Sequence, residues 1–237
     1  MIEPIQSDSL RDTFIQKFES LIFSGYFKIG ERLPPERDLA RQMGVSRPVV
    51  HEGLVNLVSK GLVTMTPRRG SVINDYRKQG SLFVLTALFE YGNGQVSENL
   101  LNSMLDMRML FEVENAGLAA RNRTQAQMDQ FYEILDQERQ ADPENPAQMA
   151  DLDFAFHHLV SIASDNLVYP LLLNSLRQFY TSLTQKFFSN GSVIPWVLEH
   201  HGKLVGAIGD QQPETARQYM EKIVLHGEKN LRITLEK

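Results

Sequence analysis

The chain has 237 residues, 42% of them hydrophobic, with no cysteine, one tryptophan and a formal net charge of −5. That length holds two modest domains. The missing cysteines exclude disulfides and thiolate metal sites, and no apolar run approaches the roughly 18 residues that mark a membrane span. The charge is unevenly divided: residues 1–79 hold 12 Lys and Arg against 9 Asp and Glu, and residues 80–237 hold 12 against 20, a balance of +3 followed by one of −8.

Residues 1–8 are expected to fray. The stretch MIEPIQSDSLRDTF lacks the basic-then-apolar order of a secretory signal, which points to a cytoplasmic protein. Residues 10–24 read as an amphipathic helix with Phe14, Ile15, Phe18, Leu21 and Ile22 inward. Pro34 and Pro35 interrupt the chain and prepare the next helix. Residues 36–43 carry Leu39, Ala40 and Met43 at helical spacing, and Gly44 supplies the positive φ that ends a helix. Ser46 is then an N-cap, with Pro48 in the first turn and Val49, Val50, Gly53, Leu54, Leu57 and Val58 on one broad apolar face. Gly61 stops this helix. Residues 62–66 alternate like a strand, Pro67-Arg68-Arg69-Gly70 turns, and residues 71–74 return. Two helices joined by a short glycine-containing turn are a DNA-reading helix-turn-helix, and the hairpin after them is its wing.

Phosphate contacts demand local positive charge, and Arg32, Arg37, Arg41, Arg47, Arg68 and Arg69 all lie within this motif. The expected DNA-binding residues are Arg37 on the first helix; Ser46, Arg47, Val49 and His51 at the start of the second; and Arg68, Arg69 and Gly70 at the wing tip. Residues 74–80 read as a linker, giving a DNA-binding domain over 1–78 and a second domain over 79–237.

The second domain reads as helical throughout. Helices are expected over 81–91, 96–121, 124–139, 147–163, 167–189, 195–208 and 213–235. Gly92-Asn93-Gly94 breaks the first two apart, ADPENP at 141–146 forms a loop, Asn166 starts a turn, and Pro170 starts or kinks the helix that holds it. No β run stands out. Helices without strands imply an antiparallel all-α bundle, so the chain is mainly α.

Three polar groups interrupt that bundle. Asp153 and His157 stand at i and i+4, on one face of one helix. His201 and His226 sit on two later helices. A carboxylate with imidazoles from separate helices suits a divalent ion, zinc first, nickel or manganese otherwise. A paired buried histidine, equally, needs no metal.

The stretch GERLPPERDLARQMGVSRPVVHEGLVNLVSKGLV resembles the N-terminal signature of the GntR family of bacterial transcription regulators. One position departs from it: the pattern has arginine where this chain has His51, and the family often uses that arginine to touch phosphate or base. Asp153-Phe154-Ala155-Phe156-His157, followed by His201 with Leu204, Ala207 and Ile208, resembles the ligand-binding domain called FCD, of the FadR subfamily. That resemblance implies a metal held by Asp153, His157, His201 and a further histidine about 22 residues on. Ile223 occupies that place, and His226 lies one turn away, rotated by roughly 60°. His158 and His200 are expected to face away. Arg108 matches an arginine of the subfamily's effector pocket, and Asn166 and Tyr180 are the other effector-binding candidates. A guanidinium facing a metal suits a small carboxylate such as a sugar acid or hydroxy acid, while an ion pair with Asp106 or Glu112 is the ordinary alternative. NSLRQFYTSLTQKFFSN also resembles fatty-acyl-CoA-responsive members of the subfamily, with Phe179, Tyr180, Phe187 and Phe188 lining an acyl channel unless they are simply core.

These readings make the chain an effector-controlled regulator, binding a near-palindromic double-stranded operator as a homodimer, and not a membrane protein. A metal-dependent enzyme is the rival reading, but neither HExxH, nor a glycine-rich phosphate loop, nor a Ser/His/Asp constellation stands out. A constitutive architectural DNA binder would not need the second domain.

Overall fold

The computed structural model describes residues 10–92 and 97–235. The segment expected to fray, Asn93 and Gly94 of the expected break, and the expected helix start at Val96 lie outside these residues. The chain forms two compact units, Met1–Gln95 and Val96–Lys237. Among the described residues no helix is long and apolar enough to cross a membrane.

The first unit opens with α1 (Leu10–Phe23), which buries Phe14, Ile15, Phe18 and Ile22. Helix α2 (Glu36–Met43) ends at Gly44, whose φ of 66° and ψ of 27° are left-handed. Helix α3 (Arg47–Ser59) starts at Ser46, whose side chain accepts from the Val49 N–H, and buries Val50, Gly53, Leu54 and Leu57. Gly53 lets α1 and α3 approach closely, because a Cβ there would run into the Phe14 ring. The wing pairs β1 (Val63–Thr66) antiparallel with β2 (Gly70–Ile73), Val63 opposite Ile73 and Thr66 opposite Gly70. Residues 30–33 join its edge, with Leu33 N–H donating to the Ser71 carbonyl at 2.9 Å.

The expected linker contains a short helix, α4 (Tyr76–Gln79), capped by the Asp75 side chain. Helix α5 (Phe83–Tyr91) follows and packs on α1, with Val84 inside the first unit's core. The division after Gln95 therefore lies beyond the expected boundary at 78: the apolar face of α5 is satisfied by the DNA-binding elements.

The second unit is an all-helical bundle of α6 (Glu98–Asn122), α7 (Gln125–Gln140), α8 (Pro146–Ala163), α9 (Tyr169–Ser175), α10 (Arg177–Phe188), α11 (Ile194–Gly209) and α12 (Pro213–Leu235). One expected helix, 167–189, is two. The break falls at Leu176, whose φ of −104° and ψ of 3° leave the helical region. Pro170 sits in the first turn of α9, where its missing N–H costs nothing. Helix α8 packs against α6, α7, α9 and α10, and α11 packs against α6, α7 and α12. Phe131, Phe156, Leu204, Ile208 and Met220 fill the space between them. Polar side chains on α6, α7, α8, α10 and α11 meet within this bundle, and these helices fix the site.

Candidate nucleic-acid interface and metal centre

Arg47 and His51 are the first and fifth residues of α3, and both side chains are exposed. Glu36, the first residue of α2, holds the two together. Its Oε2 accepts from Arg47 Nε at 3.3 Å, and its Oε1 lies 2.8 Å from His51 Nδ1. The His51 hydrogen bond, with Arg47 adding to it, outweighs partial burial and keeps the Glu36 carboxyl below its usual range. Arg37 is exposed, 3.9 Å from Asp38 at its nearest charge. Ser46 spends its hydroxyl on capping, and Val49 is half-buried against the core, so these two shape α3 as well as bordering its exposed face. At the wing tip Arg68, Arg69 and Gly70 are exposed, with Arg68 held at a φ of 64° that ordinarily costs a non-glycine residue about 1 kcal/mol. A cleft of about 600 Å³ runs between the wing and the start of α2, lined among others by Arg32, Pro35, Glu36, Arg68, Arg69 and Gly70. The three arginines of this cleft, and the exposed Arg37, Arg47 and His51, are side chains of the kind that contact phosphate and base edges.

In the second unit, α8 and α11 bring Asp153, His157 and His201 together. One ligand atom from each lies within 4.8 Å of the others, and all three residues are buried. His157 Nε2 stands 3.9 Å from Asp153 Oδ1, and His201 Nε2 stands 3.8 Å from the same oxygen. These separations are too long for hydrogen bonds, and neither Nε2 has a hydrogen-bond partner among the described residues. A buried polar atom left this way costs about 1–3 kcal/mol. The far side of each ring is engaged by a buried carboxylate: His157 Nδ1 lies 2.6 Å from Glu112 Oε2, and His201 Nδ1 lies 2.9 Å from Glu138 Oε1. The carboxylate on His201 Nδ1 places the hydrogen there and turns the Nε2 lone pair toward Asp153, as the second sphere of a metal-binding histidine does; Glu112 stands against His157 Nδ1 in a close ionic contact without hydrogen-bond geometry. Phe156 stacks on His201 at 3.8 Å and 5°, fixing the ring plane. Burial alone would push the His201 imidazole down, but Glu138, and then Asp153 and Glu112, raise it. The donor set, two imidazoles and a carboxylate, fits a divalent ion of the zinc, nickel or manganese type and leaves coordination positions open.

Tyr180 and Arg108 adjoin this centre. The Tyr180 hydroxyl donates to Asp153 Oδ2 at 2.7 Å and accepts from Arg108 Nη2 at 3.2 Å. Burial pushes the Tyr180 phenol well up, so it stays a neutral donor. Arg108 Nε donates to Glu112 Oε1 at 2.6 Å, the ion pair anticipated as its ordinary alternative. Burial alone would raise the Glu112 carboxyl, but Arg108 and His157 hold it below the usual range. Asn166 Oδ1 accepts from the Val168 and Tyr169 N–H groups.

The comparisons with known proteins bear on both units. Residues 103–226 match the FCD domain, and residues 10–73 match the bacterial regulatory proteins of the gntR family. The chain belongs to the GntR family. It is 28% identical over 224 residues to the Glc operon transcriptional activator of Escherichia coli (strain K12), covering 91% of this chain and 86% of that one. It is 26% identical over 202 residues to the fatty acid metabolism regulator protein of Klebsiella pneumoniae (strain 342), covering 84% and 82%. The fold is shared with the structure titled "Lar controls the expression of the Listeria monocytogenes agr system and mediates virulence", at a TM-score of 0.64, 15% identity and coverage of 96% and 99%. The chain is thus a DNA-binding transcription regulator with an FCD domain, and not an enzyme.

Within this GntR regulator, His226 stacks on Trp196 at 3.7 Å, and its Nε2 lies 3.3 Å from Asn230. It does not join the Asp153–His157–His201 group. Ile223, at the place of the pattern's further histidine, is buried in the apolar core. His200 also stacks on Trp196, at 3.6 Å, and His158 stacks on Phe154, so neither enters the group. Sequence reading passed over Glu138, and it named Glu112 only as a partner of Arg108 and not of His157. Glu138 continues the Met128–Phe131–Leu135 series of buried positions on α7, and Glu112 falls on the buried face of α6. A carboxylate at a core-facing helical position asks for a partner.

Proposed function

We propose that this GntR regulator acts as a cytoplasmic homodimer on a near-palindromic operator, and that a small carboxylate at a divalent-metal site sets its DNA affinity. The observation that carries this reading is the pair of buried imidazoles, each with Nδ1 within 2.9 Å of a glutamate oxygen and with an unpartnered Nε2 less than 4 Å from Asp153 Oδ1. Asp153, His157 and His201 hold the ion, zinc first. An ion there supplies a Lewis-acidic position for one effector oxygen. The chain's own residues do the rest. Glu112 and Glu138 fix the ring orientations, Tyr180 orients Asp153, and Arg108 supplies the cation that an effector carboxylate shares with, or takes from, Glu112. Arg108 and Glu112 both sit on α6, and the chain before α6 leads back to α5, which packs on α1. Effector binding at α6 is coupled to the DNA-binding unit, which includes α5. A coupling of about 1–3 kcal/mol changes DNA affinity roughly five- to 150-fold.

A second reading draws support from the relative named for fatty acid metabolism: a metal-free acyl-CoA pocket. Phe179, Tyr180, Phe187 and Phe188 are all buried in the core, so an acyl chain would have to displace them. Native mass spectrometry of protein purified without chelators or an affinity tag separates the two. The proposal expects a dimer carrying one divalent ion per subunit. A metal-free protein retaining an acyl-CoA would replace it with the second reading, and a monomer on and off DNA would remove the dimeric operator.

A further inference from the structure

Glu36 is ionised at neutral pH and offers only acceptors. Its two oxygens face two different residues of the next helix: Oε2 accepts from Arg47 Nε at 3.3 Å, and Oε1 meets His51 Nδ1 at 2.8 Å. A carboxylate oxygen at that distance needs a hydrogen on Nδ1. In a neutral imidazole the hydrogen sits on one nitrogen only, so the outer nitrogen, Nε2, is left with a lone pair. The His51 side chain is 55% exposed, on the N-terminal half of α3, the helix that enters the major groove in a helix-turn-helix. An arginine at this place has donors alone and selects guanine, whose edge offers N7 and O6 acceptors. A lone pair selects the opposite edge.

We propose that His51, oriented by Glu36, makes this regulator select adenine or cytosine at the base pair it faces. Adenine N6 and cytosine N4 are the two amino donors of the major groove, and either donates to Nε2. Glu36 acts as the positioning residue. It holds Nδ1 protonated and binds Arg47 through Nε. The inference rests on α3 being the reading helix, and its test separates the two claims.

The test is selection of binding sites from a random duplex library by the full chain at pH 8, where an ordinary imidazole is neutral. His51→Arg, His51→Ala, Glu36→Ala and Arg47→Ala are run beside it, each checked for an unchanged thermal transition. The wild-type chain is expected to favour adenine or cytosine at one base pair by about fivefold or more. His51→Arg moves that preference to guanine, and His51→Ala and Glu36→Ala flatten it at that pair while the rest of the site is kept. A wild-type preference for guanine there overturns the proposal, as does an equal loss of affinity for all four bases, which would make His51 a phosphate contact. If His51→Ala and Arg47→Ala both leave affinity and site unchanged, α3 is not the reading helix and both claims fall.

Discussion

Replacing Glu138 by Gln probes the metal centre without removing a ligand. Glu138 and His201 are both buried, and Glu138 Oε1 lies 2.9 Å from His201 Nδ1. A glutamine can keep that hydrogen bond through its own oxygen. The other carboxylate oxygen has no hydrogen-bond partner among the described residues, so the amide nitrogen takes its place without breaking a bond. What is lost is the negative charge that makes Nε2 a stronger base. Second-sphere changes of this kind cost about 10- to 100-fold in metal affinity, or roughly 1.4–2.7 kcal/mol. The assay is a competition titration of zinc against a chelator, run beside circular dichroism to verify the fold. A folded Glu138→Gln protein that binds zinc as tightly as the wild type would refute the assignment of Glu138, and with it the argument that the two carboxylates orient the imidazoles for an ion.

Other predictions concern pH, DNA and packing. The His201 imidazole is raised in the metal-free fold, so its contribution to stability is present below about pH 6.5 and is lost as pH rises through its folded value. Metal binding needs the neutral ring, so zinc should raise the melting temperature more at pH 8 than at pH 6; an equal rise at both would count against His201 as a ligand. Arg47→Ala should weaken operator binding by about 1–3 kcal/mol and relax specificity at one base pair. A loss that is equal on operator and random DNA in a gel shift would make Arg47 a phosphate contact only. Gly53→Ala pushes a methyl group into the Phe14 ring and should destabilise the first unit by about 1–3 kcal/mol in urea unfolding. An unchanged midpoint would show that α1 and α3 separate at little cost.

The DNA-binding motif was legible because each of its punctuation marks is a residue with one strong preference. Gly44 takes the left-handed turn, Ser46 caps α3 and Pro48 sits in its first turn. Asp153 and His157 were legible from i, i+4 spacing, and His201 from the family pattern. The split between α9 and α10 was not, because neither proline nor glycine marks Leu176. Nor was the partnership of α5 with α1, since an apolar helix face shows only that it needs cover and not which unit supplies it. Glu112 and Glu138 look like surface residues among charged neighbours until their helical phase is followed.

The central claim is that a ligand bound at Asp153, His157 and His201 sets DNA affinity. Its most direct test is operator binding by wild type, His157→Ala and His201→Ala, each titrated with a panel of hydroxy acids, sugar acids and fatty acyl-CoAs. The account predicts that one small carboxylate shifts the wild-type affinity by about fivefold or more, and that both variants bind operator, lack the metal and ignore that carboxylate. Full response in both variants would contradict it.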